Sequence, residues 1–455
     1  MRSRTPKVLH PLCGLPMIHH VLRALGDGFG RPVVVTGHQA DAVEAAIAGL
    51  ATCVRQEPQR GTGDAMRTAL AAVPETVTEI LVTMGDAPLM EASTFKLLLD
   101  ARAASDAALA LVSARVPDPS GYGRVVRDAG GTAVAIVEER DADEAVLASN
   151  EVNAGTYAFD AGWLREAIGR IQVSASGELY LTDLVALAVA DGRHVAVLEA
   201  SEPGDAMGIN DRVALAVAEE RMRRRICEGH MRNGVTIVDP ATTRIDAAVE
   251  IGQDARIEPW TSLQGATSIA EDAVIGPNSH LRDSRIGPRT SVWASVVEES
   301  KVAEDVQIGP FAHIRPGCEV GARCRIGNFA EMKNSRIGAG TQQHHFSYLG
   351  DAEIGENVNI GAGSVTANFD GVAKHRTVIG DRASIGVDTM MVAPVTIGAG
   401  ATTGAGAVVT RDVAPGKKVV GMPARPIELR RGARATDPPS TTGIPPVPSG
   451  ADRNS

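Results

Sequence analysis

The segment IGQDARIEPWTSLQGATSIAEDAVIGPNSHL, residues 251–281, decides the fold of the second half of the chain because an aliphatic residue occupies every sixth position. These positions are Ile251, Ile257, Leu263, Ile269, Ile275 and Leu281. A period of six is neither the 3.6-residue period of an α-helix nor the alternation of a half-exposed strand. It is typical of a parallel β-helix, in which each hexad forms one short wall and its aliphatic residue points inward.

The same phase continues towards residue 409, so the repeat covers most of the second half of the chain. The further aliphatic positions are Val302, Ile308, Ile314, Val320, Ile326, Ile354, Ile360, Ile379, Ile385 and Ile397. We expect the glycines that often follow these residues to allow corner angles that a side chain would forbid. The prediction is a left-handed parallel β-helix of hexapeptide repeats, and a β-sandwich of equal spacing is the alternative.

The composition and charge of the 455-residue chain narrow its possible partners and compartment. A chain of this length predicts two domains. Its formal net charge of −10 argues against nucleic acid or an anionic membrane as a general partner, but not against anionic metabolites. Five scattered cysteines without a CxxC spacing favour neither disulfides nor a thiolate metal site, which predicts the reducing cytoplasm. We find no signal peptide and no long apolar run, and therefore expect no membrane span.

The first half of the chain alternates strand-like and helix-like segments, which predicts a Rossmann-like α/β domain with a mostly parallel sheet. The clearest segments are the strands Arg31–Gly37, Glu79–Met84, Ala107–Ala114 and His194–Leu198 and the helix Ala40–Leu50. We divide the chain into this domain (1–210), a linker helix (211–232), the β-helix domain (233–430) and a disordered tail rich in Pro, Ser, Thr and Gly (431–455). We interpret the basic cluster of the linker, Arg221 and Arg223–Arg225, as a solvated helix face.

Several short motifs resemble one bacterial enzyme family, in the right order and over nearly the whole chain. PKVLH (6–10), QEPQRGTGDA (56–65), GDAPL (85–89), GYGR (121–124) and IVE (136–138) resemble sugar-nucleotide pyrophosphorylases, which implies a nucleotidyltransferase-like first domain. YLGD (348–351) and NVNIGAG (357–363) resemble the bifunctional N-acetylglucosamine-1-phosphate uridyltransferase / glucosamine-1-phosphate N-acetyltransferases.

The start of the chain departs from that family, whose first domain opens with an apolar strand and a glycine-rich loop that wraps the nucleotide phosphates. The segment Met1–Lys7 resembles the last residue of that loop and the residues immediately after it. Either the translation start lies further upstream or the domain is impaired, and we favour the first explanation. For the chain as written we expect little or no uridyltransferase activity in an assay with UTP, N-acetylglucosamine-1-phosphate and Mg²⁺, and unpaired strand edges in the sheet.

Uridyl transfer requires charge neutralisation on the phosphates. Asp86, at a predicted strand end, is a hard-oxygen ligand suited to Mg²⁺. The resemblance implies Asn210 as the second metal ligand, Lys7 as a phosphate-binding residue, and further positions that contact uridine or sugar. The implied substrate-binding residues of this domain are Lys7, Gln56, Gly61, Thr62, Gly85, Asp86, Gly123, Glu138, Asn153 and Asn210. A turn-capping Asp86 and a surface Lys7 are the alternatives.

Acetyl transfer to an amine requires a base and a group that stabilises the oxyanion, and histidine suits the base near neutral pH. His344 and His345 adjoin, and the resemblance selects His345 because it begins the motif H-x-x-Y-L-G. Arg315 and Lys333 supply positive charge for a sugar phosphate. The resemblance adds Tyr348 and Asn359 as sugar contacts.

The hexad register breaks between residues 366 and 377, and a loop ejected from a rigid coil is a common place for function. The resemblance implies that this loop reaches a neighbouring subunit of a homotrimer, so that acetyltransferase sites are shared. It implies acetyl-CoA contacts at Ala362, Asn368, Phe369, Lys374, Val387 and Ala405. Phe369 replaces a residue that is often Tyr in the family, and Val387 replaces a small hydroxyl residue.

These observations predict a cytoplasmic enzyme that acetylates glucosamine-1-phosphate and, when its first domain is complete, makes UDP-N-acetylglucosamine from UTP with Mg²⁺. Two alternatives remain. One is a monofunctional hexapeptide acyltransferase with an inactive nucleotidyltransferase domain. The other is a non-catalytic trimeric scaffold that binds sugar nucleotides.

Overall fold

The computed structural model describes residues 1–174 and 177–426 of the chain. An α/β domain is followed by a long helix and then by a three-sided parallel β-helix, which confirms the predicted fold class. The predicted tail, residues 431–455, lies outside the described residues. No helix in the described ranges is long and apolar enough to cross a membrane.

The α/β domain and the linker contain short strands and helices joined by tight turns. The helices are α1 (Met17–Leu25), α2 (Ala40–Ala46), α3 (Thr62–Leu70), α4 (Ala92–Ala104), α5 (Glu144–Leu147), α6 (Ala161–Ala167), α7 (Asp183–Ala190) and α8 (Arg212–Arg232). The strands are β1 (Pro11–Leu12), β2 (Leu15–Pro16), β3 (Val33–Thr36), β4 (Thr52–Arg55), β5 (Glu79–Val82), β6 (Leu109–Arg115), β7 (Arg124–Arg127), β8 (Ala133–Val137), β9 (Glu151–Asp160) and β10 (Val195–Glu199).

The central sheet is mixed, whereas the sequence predicts a mostly parallel one. Its order is β10-β6-β9-β7-β8, and β5 also pairs with β9. The long strand β9 runs antiparallel to β5, β6 and β7, and the short turn between β7 and β8 also forces an antiparallel pair. Within the described ranges, β3 pairs only with β4 and β5 pairs only with β9.

Helix α8 begins where the Asp211 carboxylate accepts hydrogen bonds from the backbone N–H groups of Val213 and Ala214 at 2.9 and 2.8 Å. The interpretation of its basic cluster as a solvated face is wrong for two members. Arg221 and Arg225 both form ion pairs with Asp205, because the helix packs against the end of the α/β domain.

The second half of the chain winds through three flat faces, which we number by the order in which the chain enters them. Face 1 contains Thr236–Ile237, Arg256–Ile257, Val274–Ile275, Ser291–Val292, Gln307–Ile308, Arg325–Ile326, Gln342–Gln343, Asn359–Ile360, Ser384–Ile385, Thr402–Thr403, Lys418–Val420 and Arg425–Pro426. Face 2 contains Arg244–Ile245, Ser262–Gln264, His280–Arg282, Val296–Glu298, His313–Ile314, Ala330–Lys333, Ser347–Gly350, Val365–Ala367, Met390–Val392 and Val408–Val409. Face 3 contains Glu250–Ile251, Ser268–Ile269, Arg285–Ile286, Lys301–Val302, Glu319–Val320, Arg336–Ile337, Ala352–Ile354, Thr377–Ile379 and Val395–Ile397.

The aliphatic ladder forms the core of the prism, as its period predicts. Ile257, Leu263 and Leu281 are fully buried, and the later ladder positions are at least 96% buried as well, since their exposed fractions lie between 0% and 4%. The recurring glycine has two reasons: Gly276 and Gly309, which follow Ile275 and Ile308, have φ of 103° and 108° as expected, whereas other glycines at this point of the repeat do not. Gly287 and Gly321 do not have positive φ, but a Cβ on either would lie 2.5 or 2.7 Å from the backbone of the next coil. Close stacking of coils, rather than corner angle, therefore requires glycine at these positions.

The hairpin of β1 and β2 fastens the α/β domain to the first coil. The backbone N–H of Ala247 donates to the carbonyl of Cys13 at 2.9 Å, and the N–H of Cys13 donates to the Glu219 carboxylate of α8 at 2.8 Å. Gly14 is required here because a Cβ would lie 2.5 Å from the Asp246 carboxylate.

Candidate functional site

In the α/β domain, the structure brings Lys7, Asp86 and Asn210 together although they are far apart in sequence. The Lys7 ammonium forms an ion pair with the Asp86 carboxylate and donates to Asn210 Oδ1 at 2.9 Å. Asp86 follows the β5 segment, and its carbonyl accepts a hydrogen bond from the N–H of Ile209 at 2.9 Å, which fixes the Asn210 segment beside it. A carboxylate and an amide oxygen thus converge on a single cation.

This pair of oxygens fits a hard divalent ion. Magnesium in phosphate-transfer sites is commonly held by one or two protein oxygens, with water and substrate phosphates completing the shell. Across the described ranges, no group of three or more His, Cys, Asp or Glu residues is arranged to hold a metal. A magnesium ion at Asp86 and Asn210 would therefore depend on phosphate oxygens for the rest of its ligands.

The predicted uridine positions lie at the start of α3. Gln56 is buried, and its side-chain N–H groups donate to the Gly61 carbonyl and to Asp64 Oδ2, both at 3.0 Å. The hydrogen bond from Gln56 to Asp64, together with the ion pair between Asp64 and Arg67, holds the pKa of Asp64 below its usual range. Because the amide donors of Gln56 are engaged, its oxygen is the group left for a ligand. Gly61, at φ 100°, closely approaches the Leu179 carbonyl, and the Thr62 hydroxyl accepts from the N–H of Leu181 at 3.0 Å.

The predicted sugar positions Gly123, Glu138 and Asn153 lie close together around β7, β8 and β9. The N–H of Asn153 donates to the Gly123 carbonyl at 2.9 Å, and a Cβ on Gly123 would lie 3.4 Å from the Glu138 carboxylate. Burial raises the pKa of Glu138, whose carboxylate accepts from the Thr182 hydroxyl at 3.1 Å. Gly85 adjoins Asp86, and a Cβ there would lie 3.5 Å from Val8. A half-buried acceptor at Glu138 suits a sugar hydroxyl.

In the β-helix, the two adjacent histidines occupy different environments at the corner between faces 1 and 2. The His344 ring nitrogen Nε2 lies 2.7 Å from the Gln342 side-chain oxygen. Within the described ranges the exposed imidazole of His345 makes no hydrogen bond, so it is available to a substrate. The carbonyl of His345 accepts from the Ser347 hydroxyl at 2.9 Å, which fixes the corner.

Three predicted substrate residues share face 2 near this corner. Arg315 comes directly after the strand His313–Ile314, one coil before the strand that contains Lys333. Its guanidinium forms an ion pair with Glu331 at 2.8 Å. Glu331 in turn lies opposite Tyr348 on the next rung. The Tyr348 ring lies over Gly350, where a Cβ would be 2.3 Å from the tyrosine hydroxyl. Cationic and aromatic side chains therefore line one strip of the face.

The loop between residues 366 and 377 returns to this strip within a single chain. Lys374 lies against Lys333, and the proximity of the two ammonium groups lowers the pKa of Lys333. Asn368 is buried and donates to the Asp351 carboxylate at 2.5 Å, whereas Phe369 is 59% exposed. The predicted acetyl-CoA residue Lys374 thus adds to the positive charge beside Lys333.

The remaining cofactor positions line up along the corner that carries His345. Backbone N–H groups of Gly363, Asp388 and Gly406 donate to carbonyls one coil below at 2.7, 2.7 and 2.8 Å, which places Ala362, Val387 and Ala405 on successive rungs. Asn359, by contrast, is exposed on face 1 and lies around the corner from Tyr348. Within one chain, Asn359 therefore lies apart from the strip of face 2 that contains Lys333 and Tyr348.

Close relatives of the chain align with it over both domains. The "Bifunctional protein GlmU" of Rubrobacter xylanophilus is 48% identical over 438 residues, which cover 96% of this chain and 93% of the relative. The chain belongs to the GlmU family. The GlmU protein of Thermobifida fusca is 46% identical to this chain, and the alignment covers 94% of this chain and 90% of the relative. The GlmU protein of Mycolicibacterium vanbaalenii is 44% identical, and the alignment covers 94% of this chain and 89% of the relative.

Family models agree with the division of GlmU proteins into two transferase parts. Residues 1–152 match a MobA-like NTP transferase domain, residues 299–334 match a bacterial transferase hexapeptide, and residues 376–411 match a hexapeptide repeat of succinyl-transferase. As a member of the GlmU family, the chain is a bifunctional enzyme, an acetyltransferase and uridylyltransferase.

Sequence reasoning missed three residues that shape the strip on face 2. Glu331 pairs with Arg315, and Asp351 binds both Asn334 and Asn368. Gln343 is fully buried at a ladder position where other hexads have an aliphatic residue, and its side chain donates to Ser347 Oγ at 2.9 Å. Only Gln343 left a signal in the sequence, as a polar residue that interrupts the aliphatic ladder.

Proposed function

We propose that the enzyme transfers acetyl from acetyl-CoA to glucosamine-1-phosphate and, when its first domain is complete, UMP from UTP to N-acetylglucosamine-1-phosphate. The products of the second reaction are UDP-N-acetylglucosamine, a precursor of peptidoglycan and lipid-linked glycans, and pyrophosphate. We assign acetyl transfer to residues 233–430, uridyl transfer to residues 1–210, and the linker role to 211–232. Membership of the GlmU family supports both transfer types.

The free imidazole of His345, beside a strip of cations, is the observation that carries the acetyl-transfer half of the proposal. In this reaction His345 removes a proton as the amine nitrogen attacks the thioester carbonyl. The new C–N bond forms, the C–S bond breaks, and His345 returns the proton to the sulfur, so that coenzyme A leaves as its thiol. Arg315, Lys333 and Lys374 neutralise the sugar phosphate, while Tyr348 and Asn368 contact the bound ligands. The edge formed by Ala362, Val387 and Ala405 offers aliphatic side chains and backbone to the arm of acetyl-CoA.

The convergence of Asp86, Asn210 and Lys7 supports the uridyl-transfer half. A phosphate oxygen of N-acetylglucosamine-1-phosphate attacks the α-phosphorus of UTP, and the bond to pyrophosphate breaks. Lys7 offsets charge on the phosphates, and Glu138 and Asn153 orient the sugar. A magnesium ion held by Asp86 and Asn210 would supply further charge neutralisation.

The distribution of site residues over two faces supports a homotrimer with shared acetyltransferase sites. Lys333 and Tyr348 lie on face 2 and Asn359 lies on face 1, so one ligand reaches all three only if a second chain contributes a face. The loop also exposes Phe369 (59%) and Val372 (91%), apolar side chains that favour burial against another copy.

Separate assays of the two half-reactions test the proposal. His345→Ala should lower acetyl transfer by about a hundredfold or more, in the range expected for a general base. His344→Ala, the matched control, should leave acetyl transfer within a few-fold of the unmodified enzyme. Equal rates of acetyl transfer in both variants would exclude His345 as the base, and absence of acetyl transfer by the unmodified enzyme would favour a scaffold without catalysis.

Binding of UTP tests the metal assignment. Asp86→Asn should weaken Mg²⁺-dependent UTP binding by about tenfold, as expected for a lost carboxylate–metal contact, without changing acetyl transfer. Unchanged UTP affinity in the presence of Mg²⁺ would contradict the role of Asp86.

Complementation tests the shared site. Lys333→Ala and Asn359→Ala should each be impaired alone, whereas their co-assembled mixture should regain activity because some interfaces then contain both intact residues. A mixture as inactive as its components would place Lys333 and Asn359 in one chain's site.

A further inference from the structure

A cavity of about 510 Å³ lies between helix α8 and the first coils of face 2, and it shares no residue with the two transferase sites. Its wall includes Arg223 from the helix and Arg244, Ser262, Gln264 and His280 from successive rungs, with Trp260 at the adjoining corner. The volume lies within the range of about 300–1,000 Å³ that small-molecule sites occupy. The cavity is large enough for a mononucleotide-sized ligand.

The cavity is cationic in a chain whose net charge is −10. None of the described residues that line it is Asp or Glu, and neither Arg223 nor Arg244 forms an ion pair within the described part of the chain. The neighbouring arginines of α8 differ, since Arg221 and Arg225 pair with Asp205 and Arg224 pairs with Glu228. Two guanidinium groups left without a carboxylate in one cavity favour an anion that both can bind.

Trp260 supplies a flat wall beside these charges. Its side chain is 66% exposed, although it is the largest side chain that a protein can bury. Its backbone lies at φ 60°, which is unfavourable for a bulky residue, and its N–H donates to the Thr242 hydroxyl at 3.2 Å. Other corners of the coil have the same φ, as at Phe311 and Phe329, so the coil sets the backbone here and leaves the indole in solvent, where a planar ring can stack on it.

We infer that this cavity binds a phosphorylated ring compound of the nucleoside phosphate class, with its phosphate on Arg223 and Arg244 and its ring on Trp260. Ser262, Gln264 and His280 supply hydrogen-bonding groups for the part between ring and phosphate. The ligand would lie against both the linker helix and the β-helix. Such a molecule would therefore contact the junction between the two transferase domains.

Calorimetric titration of the full chain with ADP tests the inference, because ADP combines a phosphate with a base other than uracil. Arg223→Ala and Arg244→Ala should each weaken ADP binding by about tenfold or more, as expected for a lost charge-assisted contact. Arg224→Ala, on the same helix but facing away, should bind ADP like the unmodified enzyme. Acetyl transfer by all three variants should be unchanged, which verifies that they fold.

Inorganic phosphate tests the contact of the phosphate with the arginines, and Trp260→Ala tests the contact of the ring with the indole. Phosphate alone should bind more weakly than ADP, and Trp260→Ala should weaken ADP binding without affecting phosphate. The inference is overturned if ADP does not bind saturably, for example because a second chain fills the cavity in the assembled enzyme. It is also overturned if ADP binding survives both arginine substitutions, or if phosphate binds as tightly as ADP.

Discussion

Asp351 and Asn368 are joined by a 2.5 Å hydrogen bond from the Asn368 amide to the Asp351 carboxylate, and this contact fastens the ejected loop to the prism. The other carboxylate oxygen accepts from the Asn334 amide one coil below at 2.6 Å. Asp351 is 9% exposed and has φ 50°, so its position at the corner is fixed by the coil. The loop that carries Lys374 is therefore attached through one buried carboxylate.

Replacing Asp351 by Asn should loosen the loop, because an amide has one acceptor oxygen where the carboxylate offers two. We expect the KM for glucosamine-1-phosphate to rise by about tenfold, which corresponds to one lost charge-assisted hydrogen bond, with a smaller change in kcat. Steady-state kinetics would measure both constants. Asp283→Asn, at the corresponding corner of a lower coil, is the control and should leave both unchanged.

The same carboxylate should make the loop sensitive to acid. Burial opposes ionisation of Asp351, but hydrogen bonds from Asn334 and Asn368 and the nearby Lys333 and Lys374 lower its pKa overall. Its stabilisation of the loop is therefore fully present above the ordinary aspartate pKa of about 3.9 and is lost as the pH falls through the lowered value. Proteolysis of the loop at pH 5 should match that at pH 7 if this account is correct.

As the pH rises, the affinity for the sugar phosphate should fall at a lower pH than it would if Lys333 had the pKa of an ordinary lysine. The proximity of Lys374 lowers the pKa of Lys333, and the phosphate is held only while the ammonium is charged. In Lys374→Met the pKa of Lys333 should rise again, so the increase of KM at alkaline pH should move to higher pH. Comparing the two enzymes cancels the titration of the substrate amine. An alkaline limb that stays in place would refute this coupling.

Gln343 should stabilise the position of His345 at a cost to the fold. Its buried side-chain oxygen has no hydrogen-bond partner within the described ranges, whereas its amide holds Ser347, which in turn holds the carbonyl of His345. Gln343→Met should raise the free energy of unfolding by about 1 kcal/mol, since the unpaired acceptor is removed. The kcat of acetyl transfer should fall several-fold. Denaturation and kinetics on one preparation would show both effects, and Gln307→Met, on the outer surface, should show neither.

Gly350 should be required for the position of the Tyr348 ring. A Cβ at residue 350 would lie 2.3 Å from the tyrosine hydroxyl, so Gly350→Ala should displace the ring from the strip. We expect the KM for the sugar phosphate to rise by about tenfold, the loss of one contact, without unfolding of the coil. Gly169→Ala, where no other atom lies within 4 Å of the added Cβ, is the control. An unchanged KM in Gly350→Ala would show that the ring position is not needed.

The hexad positions and the helix after Asp211 were predictable because their signals are local. A six-residue period and a capping aspartate both depend on neighbours within a few residues. The contact between Lys374 and Lys333 was not predictable in this way, since an irregular loop brings the two together. The role of Asp351 was hidden for a similar reason, because its partners lie 17 residues away on either side, on other coils.

The reason for Gly287 and Gly321 could not be predicted, because the sequence shows the turn but not the coil stacked upon it. The ion pairs of Arg221 and Arg225 also required the tertiary structure, since Asp205 lies in a separate turn. The arrangement of Ala362, Val387 and Ala405 along one edge, in contrast, follows from the repeat once the ejected loop is set aside.

The corner that carries His345, Ala362, Val387 and Ala405 has a fixed scale of length. Hydrogen-bonded strands lie about 4.8 Å apart, so the three steps from the histidine to Ala405 span roughly 14 Å. Inserting one whole coil between His345 and Ala405 would lengthen this distance by about 4.8 Å without disturbing the faces, because each coil contacts only its neighbours. The number of coils between His345 and Ala405 therefore sets how long an acyl carrier must be for its thioester to reach His345.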